Sequence, residues 1–288
     1  MRIHIIYNIL ILVFFLNYLH GIGLQGLVIP QNSSSLSTSG TGIAANIDAS
    51  LNPAMKVPNS SYLQYSQNTW LGEIQGNHML FRWDSKVPKE ISIKTWNATE
   101  LELWGDYPDD RPLGTFSVHY ISTAFNISHN LNTPYQFGLR IQTNYSQLFT
   151  ESQSVITMDI GMKIPFNNFI KFGSVIRNFG YKMNNSLRSD IPLEYGLGTE
   201  IILPIIKGSI LNDLIYNNIN EIESRYALKT NYKVLNLFLG GSSSNKRKAQ
   251  SFGFSLKHHK WEIFSSFYFH KKSSILGTPL FIDLRRYL

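Results

Sequence analysis

Apolar and polar residues alternate along much of this chain, with aromatic side chains gathered on one side of the alternation and hydrophilic ones on the other. From Tyr135 the odd positions Tyr135, Phe137, Leu139, Ile141 and Tyr145 are apolar or aromatic, broken by Thr143, while the even ones are Gln136, Gly138, Arg140, Gln142 and Asn144. A period of two is the mark of a β-strand with one greasy and one wet face. Ile156, Met158, Ile160, Met162 and Ile164 likewise alternate with Thr157, Asp159, Gly161 and Lys163. Near the end Phe252, Phe254 and Leu256 alternate with Gly253, Ser255 and Lys257, and Trp261, Ile263, Phe267 and Phe269 follow the same rule with Ser265 out of pattern.

Further strands are expected over 62–68, 78–83, 90–97, 116–125, 169–178, 193–202, 225–232, 234–241 and 280–287, while 210–223 reads equally as a short helix or a strand pair. The breaks carry turn chemistry, as in Tyr107-Pro108-Asp109-Asp110, Asn132-Thr133-Pro134 and Ser242-Ser243-Ser244-Asn245. Roughly 230 residues beyond Pro58, at about 16 to 20 per strand and turn, hold about 12 to 14 strands, and an even number is expected.

A soluble β-sandwich shows the same alternation, so composition has to separate the two. Charged residues are only 16% of the chain, well below the roughly 25% of an ordinary soluble domain. Aromatics reach 13%, yet the mean hydropathy of −0.11 is too polar for a bundle of membrane helices. Strands that face lipid on one side and a wet lumen on the other satisfy all three observations, so the expected fold is all-β, a transmembrane antiparallel β-barrel.

The amino terminus fits export. Arg2 precedes an almost wholly apolar run from Ile3 to Leu19, and Gly21 and Gly23 follow. This describes a signal peptide over 1–23, although no Ala-x-Ala box is present, with an uncleaved anchor as the rival reading given the length of the run. From Gly26 to Ala54 the chain turns to small and polar residues, which cannot bury enough apolar area to fold alone. Such a segment is either a linker or held inside a larger structure, and the expected division is 1–23 signal peptide, 24–57 small-residue segment and 58–288 barrel.

The stretch from Ser39 to Ala54, Gly-rich and leading through Asp48-Ala49 to Asn52-Pro53-Ala54, resembles the start of the PorV/PorQ family, relatives of the FadL fatty-acid transporters. Similar too are Trp70-Leu71-Gly72-Glu73-Ile74, Val175-Ile176-Arg177-Asn178-Phe179-Gly180, Leu193-Glu194-Tyr195-Gly196-Leu197-Gly198 and Leu276-Gly277-Thr278-Pro279-Leu280. A departure is the final Leu288, where many outer-membrane proteins end in an aromatic; Tyr287 stands beside it. The resemblance implies a FadL-like barrel of about 14 strands in the bacterial outer membrane, with the amino-terminal segment folded into the lumen as a plug. Its expected plug residues are Gly40, Gly42, Asp48, Ala49, Asn52, Pro53 and Ala54. Gly40 and Gly42 allow close backbone approach, and Asn52 before Pro53 supplies a turn into the first strand.

By that resemblance the expected function is an outer-membrane component of protein export associated with type IX secretion, with secretion components and cargo proteins as partners. The alternative is a FadL-like transporter of fatty acids or other hydrophobic small molecules. The net charge of +7 comes from scattered pairs and triplets such as Lys246-Arg247-Lys248 and Arg285-Arg286. These read as solvated strand ends or contacts to lipid and lipopolysaccharide phosphates, not as a nucleic-acid surface. No enzyme is expected. The chain has no Cys, no Gly-x-Ser-x-Gly elbow, no His-Glu-x-x-His helix and no phosphate loop, and His258-His259 reads as a turn and not a metal pair. No cofactor is expected either.

Overall fold

The protein is described by a computed structural model covering residues 25–55, 61–103, 111–130, 134–148, 151–183, 191–218, 221–245, 247–270 and 276–288. The expected signal peptide and the expected boundary between residues 57 and 58 lie outside the described residues. The strands are β1 (Tyr62–Thr69), β2 (Gln75–Trp83), β3 (Lys89–Leu103), β4 (Gly114–Asn130), β5 (Gln136–Leu148), β6 (Glu151–Pro165) and β7 (Ile170–Lys182). They continue as β8 (Glu194–Leu203), β9 (Gly208–Asn217), β10 (Glu221–Tyr232), β11 (Leu235–Ser244), β12 (Lys248–His258), β13 (Trp261–His270) and β14 (Leu280–Tyr287).

Each strand pairs with its neighbours in sequence, and β1 closes on β14 from Tyr62 opposite Tyr287 to Thr69 opposite Leu280. Closure into an antiparallel barrel removes the sheet edge, which is the condition for strands to cross hydrocarbon with every backbone group paired.

The burial pattern is inverted relative to a soluble protein. On β5 the apolar Leu139 and Ile141 are 39% and 45% exposed, while the alternate Arg140 and Asn144 are 2% and 3% exposed. Ile160 and Asp159 on β6 repeat the contrast. An aqueous exterior would leave this outward apolar band unburied, whereas a bilayer makes it the favourable face.

Two bulges keep the parity in step. At Asp159 the β6–β7 register shifts, so that Arg177 and Asn178 are consecutive, both buried and both opposite one residue. Asn178 adopts φ 59°, and its N–H donates to Asp159 Oδ1 at 2.7 Å, the left-handed conformation that Asn tolerates better than most residues. A second shift falls in β3–β4 between Ala98 and Leu101.

The undecided stretch 210–223 is β9 plus the start of β10. Its alternation is hidden because both faces are apolar. Leu211 and Ile215 are buried on the inner face, and Ile210, Leu214 and Tyr216 are exposed on the outer one.

Candidate functional site: the lumen and the segment inside it

Residues 31–55 are buried except Asn46 and Ser50, and their partners are inward-facing side chains of strands all round the barrel. The segment opens with a short helix α1 (Ser33–Ser37), capped by Asn32. Asn32 Oδ1 accepts from Ser35 N–H at 3.0 Å and Ser35 Oγ accepts from Asn32 N–H at 3.3 Å, a reciprocal capping box that offsets the poor helix propensity of a serine run. The helix ends in a Schellman turn: Gly40 N–H reaches Ser35 O at 2.8 Å and Ser39 N–H reaches Leu36 O at 2.9 Å, with Ser39 and Gly40 both in the left-handed region.

Asp48 ties this cap to the next turn. Its carboxylate accepts from Asn32 Nδ2, from Ser50 Oγ, and from Ser50 N–H at 2.7 Å. Burial alone would raise the Asp48 carboxyl, but those bonds from Ser50 and Asn32, with the nearby His78 and Arg140, hold it below its ordinary value. Asn52 closes the fold of the segment. Its Nδ2 donates to Ile43 O at 2.7 Å and its Oδ1 accepts from Ala54 N–H at 2.9 Å, bending the chain around Pro53.

The barrel wall holds the segment in three ways. First, wall carboxylates accept its amide hydrogens. Both oxygens of Asp283 lie 3.0 Å from Ser33 N, and Asp213 Oδ2 lies 2.7 Å from Gly42 N and 3.1 Å from Ile43 N. Second, wall cations donate to its carbonyls. Lys94 reaches Gly26 O at 2.8 Å, Lys163 reaches Ala45 O at 2.6 Å, Arg82 reaches Met55 O at 3.0 Å and Arg225 reaches Gly40 O at 3.2 Å. Such charge-assisted bonds are about twice as strong as neutral ones.

Third, the wall is bare of side chains where the segment's backbone touches it. A Cβ at Gly138 would fall on the Pro53 and Ala54 backbone, one at Gly161 on Asn52, one at Gly173 on Ile43 and Ala44, and one at Gly240 on Thr38 and Ser39. Apolar contacts complete the fit. Ile43 packs on Val175 and Ile215, and Ala45, Ile47 and Leu51 pack on Leu211, Ala227, Phe238 and Phe264. Leu36 sits among Trp96, Tyr120, Tyr268 and Phe281.

Beside the segment lies a cavity of about 70 Å³ whose lining includes Arg140, Asp159, Arg177, Glu194, Arg225 and Arg247. The charges are linked in a chain: Arg177 to Glu194 at 2.7 Å, Arg225 to Glu223 at 2.7 Å and Arg247 to Glu223 at 2.9 Å. On the outward side of β5–β10 is a second hollow of about 510 Å³, walled by Phe137, Ile160, Leu197, Leu214, Tyr216 and Ile222.

All seven residues singled out from the sequence are in the segment. Gly40 makes a wall contact through its carbonyl and Gly42 through its amide, Asn52 donates to Met162 O at 3.3 Å, and Pro53 O accepts from Asn126 Nδ2 at 3.4 Å. Asp48 bonds within the segment, and Ala49 and Ala54 are fully buried. Sequence reasoning missed the wall partners Asp213, Asp283, Lys163 and the inward glycines. Their signal was a charge or a glycine on the wet side of an alternating strand. His258 and His259 are at a turn, with His259 at φ 50°, and among the described residues no group of three or more His, Asp or Glu is placed to hold a metal.

No protein-family model matches the sequence, and no curated protein does. Among solved structures, the deltaS2S3 mutant of the monoaromatic hydrocarbon channel TodX superposes with a TM-score of 0.62 at 8% identity, over 93% of this chain and 98% of that one. The toluene transporter TodX of Pseudomonas putida gives a TM-score of 0.58 at 9% identity, over 89% of this chain and 97% of that one. Neither comparison points to PorV/PorQ. The chain therefore shares the closed antiparallel barrel fold of TodX.

Proposed function

We propose that the protein is an outer-membrane channel for apolar small molecules, closed by residues 31–55 acting as a plug. The observation that carries this is the occupied lumen inside a TodX-like barrel: a segment held by opposed charges and glycine contacts fills it beside an ion-lined cavity of about 70 Å³. The apolar hollow on the outward side of β5–β10 supports the same reading, since it offers an apolar solute a place against the wall. The longest connections, those after β3, β7 and β13, join strand ends opposite the end bearing both β1's start and β14's finish. Outer-membrane barrels keep short turns toward the periplasm, so the long connections are assigned to the cell exterior.

A second reading, an export-associated barrel of PorV/PorQ type, is favoured by one observation. The lumen cavity is lined by guanidinium and carboxylate groups, which are a poor reservoir for a neutral hydrocarbon. Uptake of radiolabelled toluene and oleate by intact cells that do and do not make the protein separates the two. The channel reading expects faster uptake with the protein present. Unchanged uptake together with impaired release of secreted proteins on its loss would move the assignment to export.

A further inference from the structure

We infer that the lumen wall is a binding surface for polypeptide main chain, so that a turn-rich, uncharged, small-residue stretch of another protein can occupy it in place of residues 31–55. The wall addresses the segment through peptide groups. Asp213 and Asp283 take amide hydrogens at Gly42, Ile43 and Ser33, and Lys163, Arg82 and Arg225 give protons to the carbonyls of Ala45, Met55 and Gly40. Every residue of a polypeptide other than proline offers one such donor and one such acceptor, whatever its side chain.

Two further observations point the same way. Wall glycines stand where the segment's backbone passes, at Gly138, Gly173 and Gly240, so the surface is shaped for a chain and not for protruding side chains. The one ionisable side chain in residues 25–55, Asp48, forms its hydrogen bonds within the segment. The wall's His78 and Arg140 act on Asp48 through space, while the wall's hydrogen bonds to the segment fall on neutral groups. Direct wall contacts from segment side chains exist, as at Ser33 to Asp283, Ser39 to Ser251 and Gln31 to Arg140, but the strongest arrays converge on the backbone. The inference goes beyond the channel reading and stands without it, because it concerns what the lumen holds and not what crosses it.

The test uses the full chain in nanodiscs in two forms: one cut at a protease site placed within residues 56–60, and one carrying Gly42→Val, where the new Cβ presses on Ile47 and Leu51 within the segment. Both free the lumen for exchange with a fluorescent peptide of residues 31–55. That peptide should bind saturably, and an unrelated peptide of equal length built from Gly, Ser, Ala and Thr should bind within about tenfold of it. Amide-to-ester replacement at Gly42 and Ile43, which deletes two N–H groups and no side chain, should weaken binding by about tenfold or more. Ser33→Ala with Ser39→Ala in the peptide should weaken it less. Binding of the native peptide alone, or a larger loss from the alanine pair than from the esters, would overturn the inference. Absence of all peptide binding would overturn it too, and if the cut chain then conducts ions the plug reading survives that failure.

Discussion

Replacing Gly138 by valine separates the wall from the segment it holds. Gly138 faces inward on β5, and a Cβ there would land on the Pro53 and Ala54 backbone. Valine suits a strand better than glycine, so the wall itself is not weakened. The clash must be relieved by the segment, because Pro53 is backbone against backbone and no flexible side chain can swing away. Overpacking of this kind costs about 1 to 3 kcal/mol, which multiplies the undocked population by between about fivefold and about two-hundredfold. The assay pairs heat-modifiable gel migration, reporting the barrel, with trypsin-independent proteolysis by proteinase K and planar-bilayer conductance, reporting the segment. Gly138→Val should keep the folded band, admit cleavage within 31–55 and raise conductance, while the lipid-facing control Leu139→Val changes none of these. Native resistance and conductance in Gly138→Val would refute the close-packed account of the wall.

Other changes act on other parts of the same arrangement. Asp213→Asn loses the charge behind two amide contacts, each worth roughly 1.5 to 3 kcal/mol when charge-assisted, and should loosen 42–55 in proteolysis without altering heat-modifiable migration. Leu139→Arg places a charge in the apolar belt at a cost of roughly 2 to 4 kcal/mol near the midplane, whereas Gln142→Arg faces the lumen and costs less; equal effects on folding into bilayers would mean the faces are misassigned. Asp48 has a folded value below the ordinary 3.8, so its stabilising bonds are fully present above that value and are lost as pH falls through the lower folded one. Proteolytic protection of the segment should therefore persist to mildly acidic pH and fail only in strong acid, and Asp48→Asn should remove that acid step.

The barrel was legible because most outward side chains are apolar, as a hydrocarbon exterior favours. Tyr135 to Tyr145 and Ile156 to Ile164 follow this rule, and their strands match the structure closely. The rule constrains only the outer face. Where the segment presents apolar side chains, the inner face becomes apolar too: Leu211 and Ile215 answer Ile43, Ala45 and Ile47, and Phe264 answers Leu51's cluster. That is why 210–223 resisted assignment. Bulges were equally hidden, since Arg177 and Asn178 gain their shared inward orientation only from pairing with β6. Within the site, Asp48 and Asn52 stood out by local turn chemistry, whereas Asp213 and Asp283 lie far along the chain from Gly42 and Ser33 and no local pattern links them.

The central claim, that passage through the barrel requires residues 31–55 to move, is tested most directly by locking them in place. Ser39 Oγ and Ser251 Oγ are 2.7 Å apart, close enough for paired cysteines to reach disulfide geometry, and the chain has no cysteine of its own to interfere. In cells making the Ser39→Cys, Ser251→Cys protein as their only copy, the account predicts that uptake of labelled toluene and oleate falls to the level of cells lacking the protein under oxidation and returns on reduction. Uptake that is equally fast in the oxidised and reduced states would contradict it.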